Sequence, residues 1–531
     1  MPSIRNAAGT AAFHRLRALA DTPWLLAALA ALVFCYPLGA PFVWLTVAAL
    51  IALCCVGSLS SLAAAYVFLF LFDNMLPFPL LGGSLARVLQ AGILARAALA
   101  LARARTRPDR FTLIAALFTA ITCGISFLLK GLVGDSVSFG VNMLVFLALR
   151  ASLRASCEMP GAFRRFFRQL MRAYAASAVT AVAFGVAYNR FFVMGGDSGI
   201  RFLGTHEPNF MAMFLDVALV LWVMLPRPGA RPALAWLLDA AVLGVLLGGL
   251  AMTGSLTGLV ITGCMLLLCA GYAFRRRRLS MLALRLLCGA VVAAAVVAGG
   301  YRATLLRPQP ERDIYALRAA TGAADADTPI YIAEPEYRAL RAAGEPVEPH
   351  LLTSAQWSAY RAAHGIEPVT LRPEDTEPLL QDGLAQAIRR IPALGPRLYT
   401  VLGYARLHGL DTATSGRWGL IVEKLRDFAS GSPWQMLLGR GPDPETTYFP
   451  MFQTFGYSHN SYLDLLTGFG AIGLGLLLWW FARTVRRGQF LGCPMEGEDR
   501  AALTLVRIAL LLHAATLSMY LNRVFLFFFI G

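Results

Sequence analysis

The sequence predicts an all-α polytopic membrane protein, with about 12–14 transmembrane helices and one large extracytoplasmic, mainly helical loop domain. The chain has 531 residues, of which 57% are hydrophobic and only 15% are charged. This composition is too apolar for an ordinary soluble protein. Apolar stretches of about 18–22 residues also recur along the chain, and a helix of that length crosses a bilayer core of about 30 Å. A soluble fold with buried helices explains neither the length nor the number of these stretches.

Each apolar stretch is interpreted as one transmembrane span. Positively charged residues favour the cytoplasmic side of a membrane, so the N-terminal segment with "HRLR" is placed there. The spans then alternate, and the basic segments after spans 4, 6, 8, 10 and 12, among them "RARTRPDR" and "RRRR", all fall on the cytoplasmic side. The spans are residues 23–38, 41–57, 59–78, 84–102, 111–129, 137–153, 167–188, 207–225, 233–251, 254–273, 280–299, 463–481 and 501–520.

The formal net charge of +16 is carried almost entirely by arginine. Strong basicity can indicate nucleic-acid binding, but membrane orientation accounts for it here, so no nucleic-acid partner is expected. The charge is unevenly distributed. Residues 301–460 contain 16 Lys and Arg against 18 Asp and Glu, a net charge of −2, which leaves +18 for the rest of the chain. This near-neutral segment is the predicted outer loop.

The order of the spans divides the chain into four parts. Residues 1–200 hold the N-terminal transmembrane helices, and residues 201–300 hold the central helices with an outward arginine motif. Residues 301–460 form the loop domain, and residues 461–531 hold the C-terminal transmembrane helices. The loop lies between spans 11 and 12, so the alternation places it outside the cytoplasm. Apolar residues at three- and four-residue spacing in "EPEYRALRAAGE" and "SAQWSAYRAAHG" predict that it is largely helical.

The first candidate site is "RFLGTHEPNF", at the outer end of span 8. Arg201 precedes the span, and Pro208 and Asn209 begin it, since proline is tolerated in the first turn of a helix. Arg201 has two interpretations. It is either an interfacial side chain that reaches towards water, or an anion ligand beside a helix N-terminus whose free amides favour anions.

The second candidate site is "TATSGRWGLIVEKLRDF", late in the outer loop. Thr414 or Ser415 can cap a helix there, which puts Arg417 in the first turn, where a positive charge opposes the helix dipole. An arginine in a locally unfavourable position is a hint of function, although a solvated helix face produces the same pattern. Further along, "LLGRG" places Arg440 in a glycine turn.

The third candidate site is "GYSHNSYLDLLTG", where His459 and Asn460 stand at the outer surface directly before span 12. A lone interfacial histidine is often structural. Arginine, however, is suited to bidentate contact with phosphate oxygens, and histidine, with an ordinary pKa of about 6.5, can act as a base near neutral pH. Taken together, the three sites fit a substrate that carries phosphate at the membrane surface and a hydroxyl to be activated.

Four segments carry a family resemblance: "RFLGTHEPNF", "TSGRWG", "LLGRG" and "HNSYLDLLTGFGAIG" occur in this order, with the long outer loop between the first and the last. Over residues 195–485 the chain resembles the O-antigen ligase and O-antigen polymerase family. These are membrane glycosyltransferases of the bacterial inner membrane that act in lipopolysaccharide biosynthesis and exopolysaccharide assembly, with the active site facing the periplasm.

The resemblance implies a polyprenyl-diphosphate-linked glycan donor in the membrane lipids and transfer to a hydroxyl on a glycan or on the lipid A core. It implies that Arg201 and Arg417 bind the diphosphate and that His459 activates the acceptor. Three further polar residues of these segments are expected to support the site: Asn209, Asn460 and Arg440. In one departure from the family pattern, Ser255 at the start of span 10 is followed by Leu256 instead of arginine, so any role of that arginine has no carrier here.

The expected chemistry uses no metal and no cofactor. Two arginines would stabilise the leaving diphosphate, and direct displacement would invert the anomeric centre. The first outer loop, "YPLGAP", has no carboxylate, and Asp73 and Asp135 are outward but isolated. The nine cysteines include no CxxC spacing, and none lies in the outer loop. We therefore expect no metal site.

Two other classes of function stay open. A lipid-linked glycan flippase or secondary transporter would share the number of spans, and Asp216 and Asp239 inside spans could be its relay groups. No inverted repeat or pair of broken helices supports that reading. A structural subunit of an envelope complex would use the outer loop for docking. Within the family, the motifs do not separate a polymerase from a ligase or a protein-glycosylating relative; the extended loop and the incomplete Ser-Arg motif favour a polymerase.

Overall fold

The structure is a computed structural model and consists mainly of α-helices. It describes residues 24–73, 75–77, 84–104, 109–130, 134–154, 160–188, 190–193, 200–225, 232–306, 329–331, 351–353, 417–442, 447–449, 454–456, 458–519 and 522–530. The helices are α1 (Trp24–Cys35), α2 (Ala40–Val56), α3 (Leu59–Leu69), α4 (Ala86–Ala104), α5 (Arg110–Lys130), α6 (Gly134–Arg154), α7 (Pro160–Ala187), α8 (Pro208–Met224), α9 (Pro232–Thr253), α10 (Leu256–Arg275), α11 (Leu279–Leu306), α12 (Arg417–Ala429), α13 (Pro433–Leu438), α14 (Ser461–Arg487), α15 (Gly497–Ala514) and α16 (Arg523–Ile530).

The β-strands are short and form antiparallel pairs, β1 with β2, β3 with β4, β5 with β6 and β7 with β8. Single 3-10 turns extend α1 and α3, at Tyr36–Leu38 and Phe70–Phe72. The strands are β1 (Phe191–Val193), β2 (Ile200–Phe202), β3 (Pro329–Tyr331), β4 (Leu351–Thr353), β5 (Thr447–Phe449), β6 (Thr454–Gly456), β7 (Gln489–Phe490) and β8 (Cys493–Pro494).

The protein is an all-α polytopic membrane protein, as the sequence predicts. Each predicted span coincides with a helix in the described part of the chain. Within that part, seven helices are long and apolar enough to cross a membrane, namely α5, α6, α7, α9, α10, α11 and α14. Shorter apolar helices lie at Trp24–Leu38, Ala40–Val56, Leu59–Phe72 and Pro208–Met224.

Most of the predicted loop domain, residues 301–460, lies outside the described residues. Its described parts are the end of α11, the short helices α12 and α13, and the strands β3 to β6. The mainly helical character of the whole loop therefore stays a prediction. The division of the chain into four parts also stays a prediction.

Helix α8 lies at the centre of the bundle, where it packs against α7, α9, α10 and α15. Its 17 residues span only about 25 Å at 1.5 Å per residue. Nearly every residue from Met211 to Met224 is buried against protein, so α8 contacts other helices along most of its length. Peripheral helices instead present large apolar side chains outward, such as Leu128 of α5, which is 83% exposed. Such side chains are what a helix facing lipid requires.

Contacts at one end of the bundle join segments that the alternation predicts to be cytoplasmic. Arg164 and Arg168, at the start of α7, bind the buried Asp499 of α15 at 2.7 and 3.0 Å. Arg278, in the basic segment after α10, binds Glu498 at 2.7 Å. All of these residues lie on the predicted inner side of spans 7, 10, 12 and 13.

Contacts at the opposite end join segments that the alternation predicts to be outward. Arg523 at the start of α16 binds Asp73 after α3 at 2.7 Å, so Asp73 is not isolated. Ser255 at the start of α10 donates a hydrogen bond of 2.8 Å to Asn209 of α8. The grouping of segments at the two ends confirms the relative orientation of these spans.

The two acids inside spans both take part in contacts between helices. Asp216 of α8 lies 2.8 Å from the Nε2 atom of His513 of α15, and both side chains are buried. Asp239 of α9 accepts hydrogen bonds of 2.9 Å from Arg285 of α11 and from Trp222 of α8. Each acid therefore holds neighbouring helices together, and the alternative that the two acids are relay groups of a transporter stays a prediction.

Candidate functional site

His459 directly precedes Asn460, the N-cap of α14, and has a strained backbone conformation. Its φ of 51° lies in the left-handed region, which a non-glycine residue adopts at a cost of about 1–3 kcal/mol. Residues on both sides hold this geometry. The hydroxyl of Ser458 donates a hydrogen bond of 2.6 Å to Asp464 and accepts one of 3.1 Å from the backbone N–H of Asn460. Such over-determined strain is a frequent feature of functional sites.

Asn460 caps α14 and joins it to the next helix. Its Oδ1 atom accepts hydrogen bonds from the backbone N–H groups of Tyr462 and Leu463, at 3.0 and 3.2 Å. Its Nδ2 atom donates to the carbonyl of Ala515 at 3.4 Å. Two of the first four amides of the helix are thereby satisfied. Asn460 therefore positions the residue before it, His459.

The segment after α15 provides the other support for this end of α14. The Ser461 hydroxyl donates to the carbonyl of Leu517 and accepts from the backbone N–H of Met519 at 2.8 Å. The Tyr462 hydroxyl donates to the carbonyl of Leu511 at 2.9 Å. The polar side chains next to His459 are thus engaged, whereas the His459 imidazole makes no hydrogen bond to another described residue.

Arg417 lies close enough to His459 for its charge to act on the imidazole. Arg417 is the first residue of α12, in agreement with its predicted place in a first helical turn. Burial and, second to it, the Arg417 charge lower the pKa of His459 to about 4. The imidazole is therefore neutral at pH 7. Burial also lowers the pKa of Arg417 from its ordinary value, while Glu207 acts in the opposite direction.

Glu207 brings "THEPN", a polar part of the first candidate site, to the same place. Its carboxylate interacts electrostatically with Arg417 and accepts a hydrogen bond of 2.6 Å from the Asn209 amide. Asn209 in turn accepts from Ser255 at 2.8 Å, and the Ser255 hydroxyl caps α10 by accepting from the Gly258 N–H at 3.2 Å. The predicted residue Asn209 therefore links the carboxylate beside Arg417 to the start of α10.

Arg201 lies on β2, where it pairs with Phe192 of β1. The chain then turns at Gly204, with a φ of 57°, and reaches Glu207 at the start of α8. Six residues reach at most about 20 Å when fully extended, and this turn shortens the path. The backbone of Arg201 is thus at the same end of the bundle as Arg417 and His459.

A break in α14 holds the "LLGRG" segment against the membrane-spanning helix. Gly470 has a φ of 67° and interrupts the helix. The N–H groups of Arg440 and Gly441 donate to the carbonyls of Thr467 and Gly468, at 3.1 and 2.9 Å, where the helix leaves them free. The glycines of "GFGAIGLG" thus admit another backbone segment at this point of the helix.

The two backbones approach so closely at this contact that each side requires a glycine. A Cβ atom on Gly439 would lie 2.1 Å from the carbonyl oxygen of Gly468. A Cβ atom on Gly470 would lie 2.3 Å from the carbonyl oxygen of Leu437. No side chain fits at such distances, so the two segments meet backbone to backbone.

The Arg440 side chain binds Asp427 of α12 instead of standing free. Its Nη1 atom lies 3.2 and 3.3 Å from the two Asp427 carboxylate oxygens, and its Nη2 atom donates to the Asp427 carbonyl at 3.2 Å. Arg440 thus ties the end of α12 to the broken helix α14. This contact favours a positioning role, which differs from direct contact with a substrate anion.

Lys424 is a further cation that the sequence interpretation did not single out. It lies seven residues after Arg417 and therefore on the same face of α12, and it is only 1% exposed. Its charge interacts with that of Asp464, the acid that also binds Ser458. Lys424 and Asp464 are thus two buried groups that interact electrostatically, and Asp464 binds the serine next to His459. The seven-residue spacing on one helix is the signal that could have identified Lys424.

Glu207 was missed as well, because sequence reasoning treated it as part of the segment that begins a helix. Its signal would have been an acid directly before Pro208, at the helix end that carries the predicted anion site. Among the described residues, no three His, Cys, Asp or Glu side chains come together as metal ligands would. The expectation of a metal-independent site stays a prediction.

Comparison of the chain with protein-family models, with curated proteins and with solved structures finds no match.

Proposed function

We propose that this protein is a membrane glycosyltransferase of the O-antigen ligase and polymerase type, which moves a glycan from a polyprenyl-diphosphate donor to an acceptor hydroxyl. Its membrane would be the bacterial inner membrane, with the site facing the periplasm. One observation carries the proposal: a neutral, strained histidine stands beside a partly buried arginine at the end of the bundle that is predicted to face outward. A base without a proton next to a fixed positive charge suits a reaction that deprotonates a hydroxyl and releases an anion.

In the proposed reaction the acceptor hydroxyl oxygen attacks the anomeric carbon of the donor sugar. His459 takes the hydroxyl proton as the new C–O bond forms and the bond to the diphosphate breaks. The electron pair of the broken bond leaves on the polyprenyl diphosphate, whose negative charge is stabilised by Arg417 and by Arg201. The displacement is direct, so it inverts the anomeric centre, and the proton passes from His459 to water afterwards.

The low pKa of His459 also bears on how the donor would act. An imidazole with a pKa of about 4 is neutral but weakly basic. A diphosphate bound to Arg417 would offset the positive charge that helps to lower this pKa. Donor binding would thereby raise the basicity of His459 when the acceptor is to be deprotonated. It would also replace Glu207 as the negative partner of Arg417.

The test is a reconstituted transfer assay. Purified protein in liposomes is supplied with polyprenyl-diphosphate-linked repeat units, with and without lipid A core. A ladder of products from the donor alone identifies a polymerase, the preferred form, and a single product that needs the core identifies a ligase. Absence of transfer in both arms, together with movement of intact donor across the membrane, would refute the proposal in favour of a flippase.

Two substitutions test the site with matched controls. His459→Asn removes the base but keeps a residue that tolerates a positive φ, and we expect activity to fall by about a hundredfold or more. Arg417→Gln removes the charge next to His459, and we expect a similar loss. Arg426→Gln on the same helix is the control, since that side chain is 69% exposed and pairs with Glu423. Equal activity of His459→Asn and the unchanged protein would remove His459 from the mechanism.

A further inference from the structure

We propose that the groove between α10 and α15 binds an anionic phospholipid of the cytoplasmic leaflet. The groove has a volume of about 480 Å³. It lies at the end of the bundle opposite to His459, next to the basic segment that follows α10. It plays no part in the proposed glycan transfer, so the two proposals stand or fall separately.

The walls of the groove divide into an apolar part and a positive part. Leu267, Leu268 and Leu505 line it towards the middle of the membrane, and the first two are 74% and 45% exposed. Arg275 and Arg500 line it towards the cytoplasmic end, one from each helix. A phospholipid has the same division, since its acyl chains lie next to its headgroup phosphate. Basic pockets between transmembrane helices on this side are typical sites for anionic headgroups.

The neighbouring acids do not neutralise these two arginines. Glu498 is bound by Arg278 at 2.7 Å, and Asp499 is bound by Arg164 and Arg168 at 2.7 and 3.0 Å. Within the described part of the chain, neither groove arginine has a salt bridge to a carboxylate. Both groove arginines are exposed, so the groove presents net positive charge to the headgroup region.

The test measures retention of defined lipids by native mass spectrometry of the purified full chain. Delipidated protein is supplied with phosphatidylglycerol or with phosphatidylcholine of the same acyl chains. We expect preferential binding of phosphatidylglycerol, weakened about thirtyfold when Arg275→Gln and Arg500→Gln are combined, since each arginine contributes about fivefold near an anionic surface. The matched control combines Arg483→Gln and Arg487→Gln. Both arginines are exposed and lie near the C-terminal end of α14, which is on the same predicted side of the membrane as the groove. This control should leave phosphatidylglycerol binding unchanged.

A second variant blocks the groove without removing charge. Gly271 lines the groove, and a Cβ atom on it meets nothing within 4 Å, so Gly271→Leu should fold and exclude the lipid. If the combined Arg483→Gln and Arg487→Gln control loses as much phosphatidylglycerol binding as the groove variant does, general surface charge explains the binding and the proposal is overturned. Unchanged binding in Gly271→Leu would also overturn it, as would displacement of phosphatidylglycerol by millimolar inorganic phosphate, because the latter would indicate a site for a free anion.

Discussion

Acidification is the perturbation that most directly tests the role of His459. Its imidazole must be neutral to accept a proton from the acceptor, and it is neutral only above its pKa. Burial and the Arg417 charge hold that pKa at about 4, below the ordinary value of 6.5. The activity of the free enzyme should therefore persist at acidities that protonate an ordinary histidine.

The size of the effect follows from the two pKa values. At pH 5, a group with a pKa of about 4 is roughly nine-tenths neutral, whereas a histidine at 6.5 is only about 3% neutral. The two cases differ by about thirtyfold in the amount of competent base. As the pH falls through 4, His459 itself becomes protonated and the activity is lost.

The assay is the pH dependence of glycan transfer in liposomes, analysed separately for kcat/KM and kcat. The acid limb of kcat/KM reports groups of the free enzyme, and that of kcat reports groups of the substrate complex. We expect an acid limb near pH 4 in kcat/KM and a higher one in kcat, because bound diphosphate offsets Arg417. In Arg417→Gln, the acid limb of kcat/KM should move to higher pH, since the Arg417 charge, one cause of the low pKa of His459, is gone.

The reasoning would be refuted by an acid limb near 6.5 in kcat/KM that is the same in Arg417→Gln. Such a result would mean that the imidazole is hydrated and distant from the guanidinium. A titration of His459 by NMR in protein with labelled histidine provides a check that is independent of turnover. His459→Asn identifies its signal, and donor stability across the pH range is the control.

Further predictions concern stability, measured by thermal unfolding in detergent. Gly470→Ala should destabilise the protein by about 2 kcal/mol or more, because of its φ of 67° and the 2.3 Å approach of a carbonyl, whereas Gly475→Ala, which meets nothing within 4 Å, should not. Asn460→Ala should cost about 1 kcal/mol as a lost helix cap and should also lower transfer activity. Asp216→Ala should cost about 3 kcal/mol by leaving His513 buried without its partner. A melting temperature equal to that of the unchanged protein would contradict each loss.

Several site features could be predicted because they depend on short segments. The position of Arg417 at the start of a helix follows from the "TSGR" pattern, and the place of His459 before α14 follows from the change from polar to apolar residues. The roles of the neighbours could not be predicted in this way. Asn460 is a cap that also contacts Ala515, and Arg440 binds Asp427. Both partners come from other segments of the chain, so a short stretch of sequence does not reveal them.

The sequence by itself determined the spans and their relative orientation. A bilayer imposes a length and an apolar character on each span separately, and arginine is distributed unevenly between its two sides, so both signals are local and can be read segment by segment. Only the tertiary structure decided that Glu207, Arg417 and His459 come together and that Gly470 breaks α14 to receive the "LLGRG" segment. Glu207 and Arg417 are 210 residues apart, Arg417 and His459 are 42 apart, and Gly439 and Gly470 are 31 apart. No local pattern of residues encodes such meetings of backbones and charges.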